Sequence, residues 1–132
     1  MDTFPRLRIL LIEDNATSRL VVTRLLERVG CEVEQAEDGL EGFELLGKRP
    51  YDVVFVDQQL PKLDGDELIR RVRSGEQGKG AAIVPMVMLS GNAPKCEESR
   101  QLASARVVHL MKPVTLAMLR SAIDAAIAHS KG

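Results

Sequence analysis

Aromatic residues are scarce in this sequence: they make up 3% of its 132 residues, with one Tyr, three Phe and no Trp. A flavin is usually stacked on aromatic side chains, so this composition argues against a flavin-dependent electron carrier. The two cysteines, Cys31 and Cys96, are too far apart for a metal-binding or redox motif. We therefore expect both to be buried or idle thiols in a reducing compartment, the cytoplasm.

Long apolar runs, a strong net charge and a phosphate-binding loop are also missing. No segment approaches the length of a membrane span, and the apolar run 9–12 is too short for a signal peptide. The net charge of −1 gives no general attraction to nucleic acid or to a membrane, so we expect neither as a direct partner. The one Gly-rich polar stretch, SGEQGKG at 74–80, lacks the GxxxxGKS/T pattern and is expected to be a mobile loop.

What the sequence does contain is a regular alternation of apolar runs with helical patterns. The runs typical of strands lie at residues 7–12, 32–34, 53–56, 83–89 and 107–110. Helical spacing predicts helices at residues 16–29, 39–47, 66–73, 97–103 and 115–128. This pattern predicts one α/β domain: a flavodoxin-like, doubly wound, five-stranded parallel sheet of order 2-1-3-4-5 with five helices. The domain should cover residues 1–132, with a core from about 7 to 129 and no effector domain after it.

Particular residues are expected to set the helix ends and the buried faces. Asn15 and Asp64 suit N-cap positions, and Gly30 suits the end of the first helix. Leu40 and Phe43 should face the core from the second helix.

Polar side chains follow the strand ends that this sheet order brings together. Glu13 and Asp14 come after the first strand, and Asp57 ends the third. Ser90 and Lys112 end the fourth and fifth strands. Each residue alone is more often a helix-start acid, a loop cap or a solvated charge. Four such features at one edge of one sheet favour a functional site.

Three carboxylates in one cleft repel one another unless a cation offsets their charge. Mg²⁺ meets that need, because it prefers oxygen ligands and binds through a few carboxylates with phosphate and water. Lys112 would add a second positive charge beside Asp57. Such a site suits phosphoryl transfer, in which Asp57 would form an acyl phosphate and Ser90 would hydrogen-bond its oxygens.

In order and spacing, Glu13-Asp14, Asp57, Ser90 and Lys112-Pro113 resemble the receiver domain of two-component response regulators. The resemblance covers residues 7–127, and IEDN at 12–15 is most similar to receivers of hybrid kinases and phosphorelays. It implies that Asp57 is the phosphoacceptor, with Ser90 and Lys112 in contact with the phosphoryl group. The magnesium ligands it implies are Glu13, Asp14, Asp57 and the backbone carbonyl of Gln59.

The same resemblance implies a signalling phosphoacceptor rather than an enzyme. It would take its phosphoryl group from a histidine kinase or a histidine phosphotransfer protein, phosphorylate itself with Mg²⁺ from such a donor, and dephosphorylate itself. The switch position of the family, paired with Ser90, falls on His109, where Tyr or Phe is usual. Gln59 and Asn92 fall on positions that modulate dephosphorylation in the family.

Alternatives to these interpretations exist. A small phosphohydrolase that forms an aspartyl phosphate is the alternative function. Haloacid-dehalogenase-like enzymes carry a second acid two residues after the nucleophile, where this sequence has Gln59, and the chain has no capping insertion. A packed or surface histidine is the competing interpretation of His109.

The last helix has an apolar stripe and a second face of small residues. The stripe expected to be buried consists of Leu116, Leu119, Ile123 and Ile127. The second face carries Met118, Ala122 and Ala125, and a partner helix could approach it closely. The downstream partner itself is not identified by the sequence.

Overall fold

The protein is described here by a computed structural model, which covers residues 6–92 and 96–131. The strands are β1 Arg8–Ile12, β2 Glu32–Ala36, β3 Val53–Asp57, β4 Met86–Ser90 and β5 Val107–Met111. The helices are α1 Ala16–Arg28, α2 Gly39–Lys48, α3 Gly65–Arg73, α4 Lys79–Ala82, α5 Cys96–Ser104 and α6 Leu116–Lys131. Within the described ranges, no helix has the length and apolar character needed to cross a membrane.

All five strands are parallel and lie in the order β2-β1-β3-β4-β5, which confirms the predicted topology. Phe43 of α2 and Leu68 of α3 pack against one face of the sheet. Leu26 of α1 and Ile123 of α6 pack against the other. Because successive residues of a strand face opposite layers, the central strands are apolar in succession, which explains the lack of alternation in β3. The carboxyl ends of all five strands therefore meet at one edge.

The described residues form one short helix in addition to the five predicted. It is α4, which forms one turn at Lys79–Ala82, where a mobile loop is expected from the sequence. Gly78 precedes it with a φ of 102°, a left-handed conformation that glycine adopts without steric cost. A single turn gives no periodic apolar pattern, so it left no signal in the sequence. The following strand begins only at Met86, and Ile83 is 57% exposed.

Two of the three expected helix-end residues behave as predicted. The Oδ1 atom of Asn15 accepts a hydrogen bond from the backbone N–H of Ser18 at 2.9 Å, and Gly30 ends α1 with a φ of 92°. Asp64 occupies the N-cap position of α3, but its side chain makes no capping hydrogen bond. The start of α3 is held by the backbone instead, through a hydrogen bond from the N–H of Gly65 to the carbonyl of Gln58 at 3.0 Å.

Burial corrects two further expectations and confirms others. Phe43 is buried as predicted, but Leu40 is 44% exposed, because the buried face of α2 is centred on Gly42, Phe43 and Leu46. Ala122 is more deeply buried than expected, although it lines the same groove as Met118 and Ala125 of α6. Cys31 is buried and free as expected, whereas the side chain of Cys96 lies outside the described residues.

At the amino end of the sheet, the guanidinium of Arg73 contacts the two segments that lead into β4 and β5. It donates hydrogen bonds to the backbone carbonyls of Ala105 at 2.7 Å, Val84 at 2.7 Å and Ala82 at 3.0 Å. Burial lowers the pKa of Arg73 to about 10, which still leaves it protonated at neutral pH. Arg73 therefore ties α3 to the chain that enters β4 and β5.

Candidate functional site

A cleft of about 400 Å³ lies at the carboxyl edge of the sheet. It brings together seven of the eight residues that the sequence analysis assigns to the site: Glu13, Asp14, Asp57, Gln59, Ser90, Asn92 and Lys112. The eighth, His109, lies outside the cleft wall and contacts Ser90. The parallel order of the strands is what gathers residues that are almost a hundred positions apart in the sequence.

The three acidic side chains form a compact group of oxygens. Carboxylate oxygens of Glu13, Asp14 and Asp57 all lie within 4.8 Å of one another. Glu13 is fully buried and Asp57 is mostly buried, whereas Asp14 is exposed at the mouth of the cleft. A set of hard oxygen donors with one side open to water is what Mg²⁺ requires, since it keeps several of its waters when bound. The donor set therefore fits magnesium.

Lys112 supplies the positive charge of this cleft. Its Nζ atom donates to Oε1 of Glu13 at 2.6 Å and to Oδ2 of Asp57 at 2.8 Å. The backbone N–H of Lys112 donates to the carbonyl of Ser90 at 2.7 Å, which fixes the end of β5 beside β4. One ammonium group between two carboxylates offsets the repulsion that would otherwise separate them.

The protonation of this cluster reflects its burial. Burial raises the pKa of Glu13 well above its usual range, and the neighbouring Asp57 raises it further, while Lys112 lowers it. Burial alone would lower the pKa of Lys112, but its hydrogen bonds to Asp57 and Glu13 outweigh burial and leave that pKa raised. Lys112 is therefore firmly protonated, and the cluster favours any added positive charge.

Asp57 is held by a tight loop at the end of β3. Its Oδ1 atom accepts a hydrogen bond from the backbone N–H of Gln59 at 3.2 Å. A Cβ atom added at Gly65 would lie 2.3 Å from the carbonyl oxygen of Asp57, so only glycine allows α3 to start this close. The carboxylate is thereby presented to the cleft while the backbone behind it is fixed.

Ser90 has two close polar neighbours, and counting protons assigns their roles. Its Oγ atom lies 2.6 Å from the carbonyl oxygen of Asn92 and 2.6 Å from Nε2 of His109. A carbonyl can only accept, so the single hydroxyl proton of Ser90 goes to Asn92. Nε2 of His109 must then carry a proton and donate it to Ser90. His109 thus reaches the cleft through the serine hydroxyl.

Arg19 contacts the acidic loop of the site, although it is not among the residues predicted from the sequence. Its Nη1 atom donates to the backbone carbonyl of Glu13 at 2.9 Å, and its Nη2 atom lies 3.3 Å from Oε1 of Glu37. A signal was present in the sequence, because a cation close to a helix N-terminus opposes the helix dipole. Arginine four residues after the N-cap Asn15 thus indicates a compensating contact.

Comparison with known proteins gives a consistent result. The family model of the response regulator receiver domain matches residues 9–124. The chain is 34% identical over 134 residues to hybrid signal transduction histidine kinase K of Dictyostelium discoideum, covering 97% of this chain and 11% of that protein. It is 29% identical over 126 residues to a probable chemotaxis protein CheY of Rhizobium etli, covering 95% of each. The first three curated relatives are far longer than this chain, which spans between 9% and 15% of their length.

A solved structure is similar over almost the whole chain. It is the receiver domain of a sensor histidine kinase from Pseudomonas aeruginosa PAO1, crystallised with a magnesium ion coordinated in its active-site cleft. The TM-score is 0.81 at 27% sequence identity, covering 94% of this chain and 99% of the other.

Proposed function

The chain belongs to the response regulator receiver domains of two-component signalling, and we propose that Asp57 is the residue that accepts the phosphoryl group. The observation that carries this proposal is the position of Asp57. Its carboxylate stands at the end of β3, lines the cleft, and contacts the ammonium group of Lys112 at 2.8 Å. A role as a signalling phosphoacceptor also agrees with the relatives, which are sensor kinases and chemotaxis proteins.

The transfer needs little covalent chemistry from the protein. An oxygen of the Asp57 carboxylate attacks the phosphorus of a phosphohistidine, and the new O–P bond forms as the P–N bond breaks. The electron pair of the broken bond stays on the imidazole nitrogen of the donor. The protein therefore contributes mainly position and charge stabilisation, for which Lys112 is already in place.

Glu13, Asp14, Asp57 and the backbone carbonyl of Gln59 are the groups that would hold magnesium. The support is the cluster of carboxylate oxygens within 4.8 Å of one another and the magnesium-bound cleft of the related sensor kinase receiver. Bound there, the ion would neutralise charge on the phosphoryl oxygens. We expect both self-phosphorylation from a small acyl-phosphate donor and autodephosphorylation to depend on it.

The relatives support a proposal for the partners. We expect Asp57 to receive its phosphoryl group from a histidine kinase, or from a histidine phosphotransfer protein in a phosphorelay, as expected for a receiver related to those of hybrid kinases. Such donors derive their phosphoryl group from ATP inside the cell, so we expect this domain to work in the cytoplasm. A downstream protein would recognise the phosphorylated surface.

Ser90 and His109 are the groups through which phosphorylation would change that surface. A phosphoryl group on Asp57 offers the Ser90 proton a charged acceptor in place of the carbonyl of Asn92. Ser90 would then release Asn92, while the N–H of His109 stays directed at the serine oxygen. Nitrogen-15 NMR of the imidazole tests this, because Nε2 should carry the proton before and after phosphorylation. A bare Nε2 with the proton on Nδ1 would contradict the assignment.

Intact-mass measurement after incubation with a small acyl-phosphate donor tests the function itself. One phosphoryl adduct should form on the wild type in the presence of Mg²⁺. Asp57→Asn and excess chelator should each prevent formation of the adduct. Asp52→Asn, just before the opposite end of β3, is the control and should not prevent it. An adduct that persists in Asp57→Asn would assign the phosphoryl group to another residue.

A further inference from the structure

We propose that Arg19 is a positioning residue that holds the Glu13–Asp14 peptide in the orientation required for cation binding. The inference rests on the proposed magnesium site and adds to it a residue that does not itself touch the ion. Its basis is the contact of the Arg19 guanidinium with the backbone of the acidic loop rather than with any acidic side chain of the cleft.

The guanidinium of Arg19 connects the loop after β1 with the loop after β2. Nη1 donates to the carbonyl of Glu13 at 2.9 Å and lies 3.4 Å from the carbonyl of Asp14. Nη2 pairs with Glu37, which follows β2, at 3.3 Å. The Arg19 side chain is only 14% exposed, whereas that of Glu37 is 73% exposed. The contact with the Glu13 carbonyl is therefore better defined than the contact with the exposed Glu37 side chain.

Every polar group of Glu13 has a partner, and Arg19 is one of them. The backbone N–H donates to Ala36 at 3.0 Å, Oε1 accepts from Lys112, and Oε2 accepts from the N–H of Asn15 at 3.2 Å. The carbonyl of Glu13 is part of the peptide bond that joins Glu13 to Asp14. Because the Asp14 side chain is exposed, its direction depends on that peptide. Without Arg19, the carbonyl of this peptide would lose its charged donor.

The sign of the effect separates positioning from electrostatics. Arg19 is a cation close to the loop that would bind another cation, so Coulomb repulsion alone predicts that its removal tightens Mg²⁺ binding. Positioning predicts the reverse, because residues that orient metal ligands typically contribute about 10- to 100-fold to metal affinity. A single measurement of affinity therefore distinguishes the two.

The experiment is calorimetric titration of the unphosphorylated protein with MgCl₂. Arg19→Gln should weaken Mg²⁺ binding by about tenfold. Arg19→Lys should weaken it as well, although the charge is kept, because lysine is shorter and lacks the planar guanidinium whose Nη1 atom reaches the Glu13 carbonyl. The amide signals of Asp14 and Asn15 in nitrogen-15 NMR should shift in both variants before any Mg²⁺ is added.

Phosphorylation kinetics give an independent readout. In Arg19→Gln the Mg²⁺ concentration for half-maximal rate should rise with the dissociation constant, while the rate at saturating Mg²⁺ should stay within about twofold. A mere loss of folded protein would lower the maximal rate instead, and urea unfolding of the same samples measures that loss.

Two control variants isolate the contact. Arg24→Gln removes an exposed arginine from the same helix and should leave Mg²⁺ affinity unchanged. Glu37→Gln removes the ion pair but leaves the bond to the Glu13 carbonyl, so it should change the affinity by less than about twofold.

Unchanged or tighter Mg²⁺ binding in Arg19→Gln, with wild-type binding intact, would overturn the positioning role and leave the proposed function standing. Absence of Mg²⁺ binding by the wild type would overturn the proposed magnesium site itself, together with this inference.

Discussion

Two cationic side chains, Lys112 and Arg73, are partly buried at opposite ends of the sheet. Lys112 lies at the carboxyl end between the carboxylates of Glu13 and Asp57, at 2.6 and 2.8 Å. Arg73 lies at the amino end, where its hydrogen bonds run to backbone carbonyls, among them that of Val84 at 2.7 Å. Both cations donate to more than one oxygen, but only the oxygens around Lys112 belong to carboxylates, the groups that we propose as ligands of Mg²⁺.

This difference implies that the contacts of Lys112 can rearrange, whereas those of Arg73 cannot. Charged partners can be redistributed when a metal ion or a phosphoryl group arrives, because each new charge alters the balance among the others. Backbone carbonyls have no alternative protonation state and hold the segments before β4 and β5 in place. We infer that the carboxyl end responds to phosphorylation while the amino end preserves the fold.

Replacement of Lys112 should give the largest effect on chemistry. Lys112→Met removes the ammonium group that contacts Asp57 and that would stabilise charge on the phosphoryl oxygens. The rate of phosphorylation from an acyl-phosphate donor should therefore fall by about 10²-fold. Mg²⁺ should bind more tightly by calorimetry, because the competing ammonium is gone. Lys48→Met, an exposed lysine at the end of α2, is the control and should change neither value. Equal rates for Lys112→Met and wild type would contradict the role of Lys112.

Replacement of Arg73 should act on stability alone. Arg73→Met leaves four backbone carbonyls without a charged donor, those of Ala82, Val84, Ala105 and Arg106. The free energy of unfolding in urea should therefore fall by about 3 kcal/mol. Phosphorylation of the folded protein should proceed at the wild-type rate. Arg70→Met on the same helix is the control, since Arg70 is 65% exposed in a surface ion pair and should contribute less than about 1 kcal/mol. A slower phosphorylation in Arg73→Met would mean that the two ends are coupled.

Gln59 and Asn92 should set the lifetime of the acyl phosphate rather than its formation. Both line the cleft, both are polar and uncharged, and they can orient an attacking water without strong acid-base help. Gln59→Leu and Asn92→Leu should each change the decay rate by a factor of about three to ten, read by intact mass over time. Gln101→Leu, on the exposed side of α5, should decay as the wild type does. Identical decay in all four proteins would exclude the two positions.

The smallest effect on the site is expected from α6. A shallow apolar groove of about 400 Å³ lies between β5 and α6, and Met118 lines it with Ala125. Met118→Glu should weaken binding of an output partner, or self-association, by at least about fivefold, while phosphorylation stays normal. Ala128→Glu is the matched control, being exposed on the same helix outside the groove. Undiminished binding by Met118→Glu would move the output elsewhere, with the exposed Leu20 and Val21 of α1 as the next surface to test.

The topology and the meeting of the acidic residues could be predicted because both follow from strand order. Once five strands are parallel in the order found, Glu13, Asp57 and Lys112 must lie at one edge. Contacts made by long side chains could not be predicted in this way. Arg19 reaches a backbone carbonyl six residues away, and Arg73 reaches one 32 residues away, and no periodicity encodes either contact.

Two expectations about single residues fail because tertiary packing outweighs local preference. Leu40 lies at the edge of the apolar face of α2, where helical spacing alone does not decide between core and solvent. Asp64 has the residue type and position of an N-cap, yet the close approach of Gly65 to the carbonyl of Asp57 fixes the start of α3 without it. In both cases tertiary packing decided an outcome that local preference left open.

We propose that phosphorylation occurs on Asp57 and on no other residue. Borohydride reduction converts an aspartyl phosphate into homoserine, so tandem mass spectrometry of the digested, reduced protein locates the site directly. After incubation with an acyl-phosphate donor and Mg²⁺, homoserine should be found at position 57 alone, and it should be absent when Mg²⁺ is chelated. Homoserine at any other aspartate, or at position 57 to the same extent without Mg²⁺, would contradict this account.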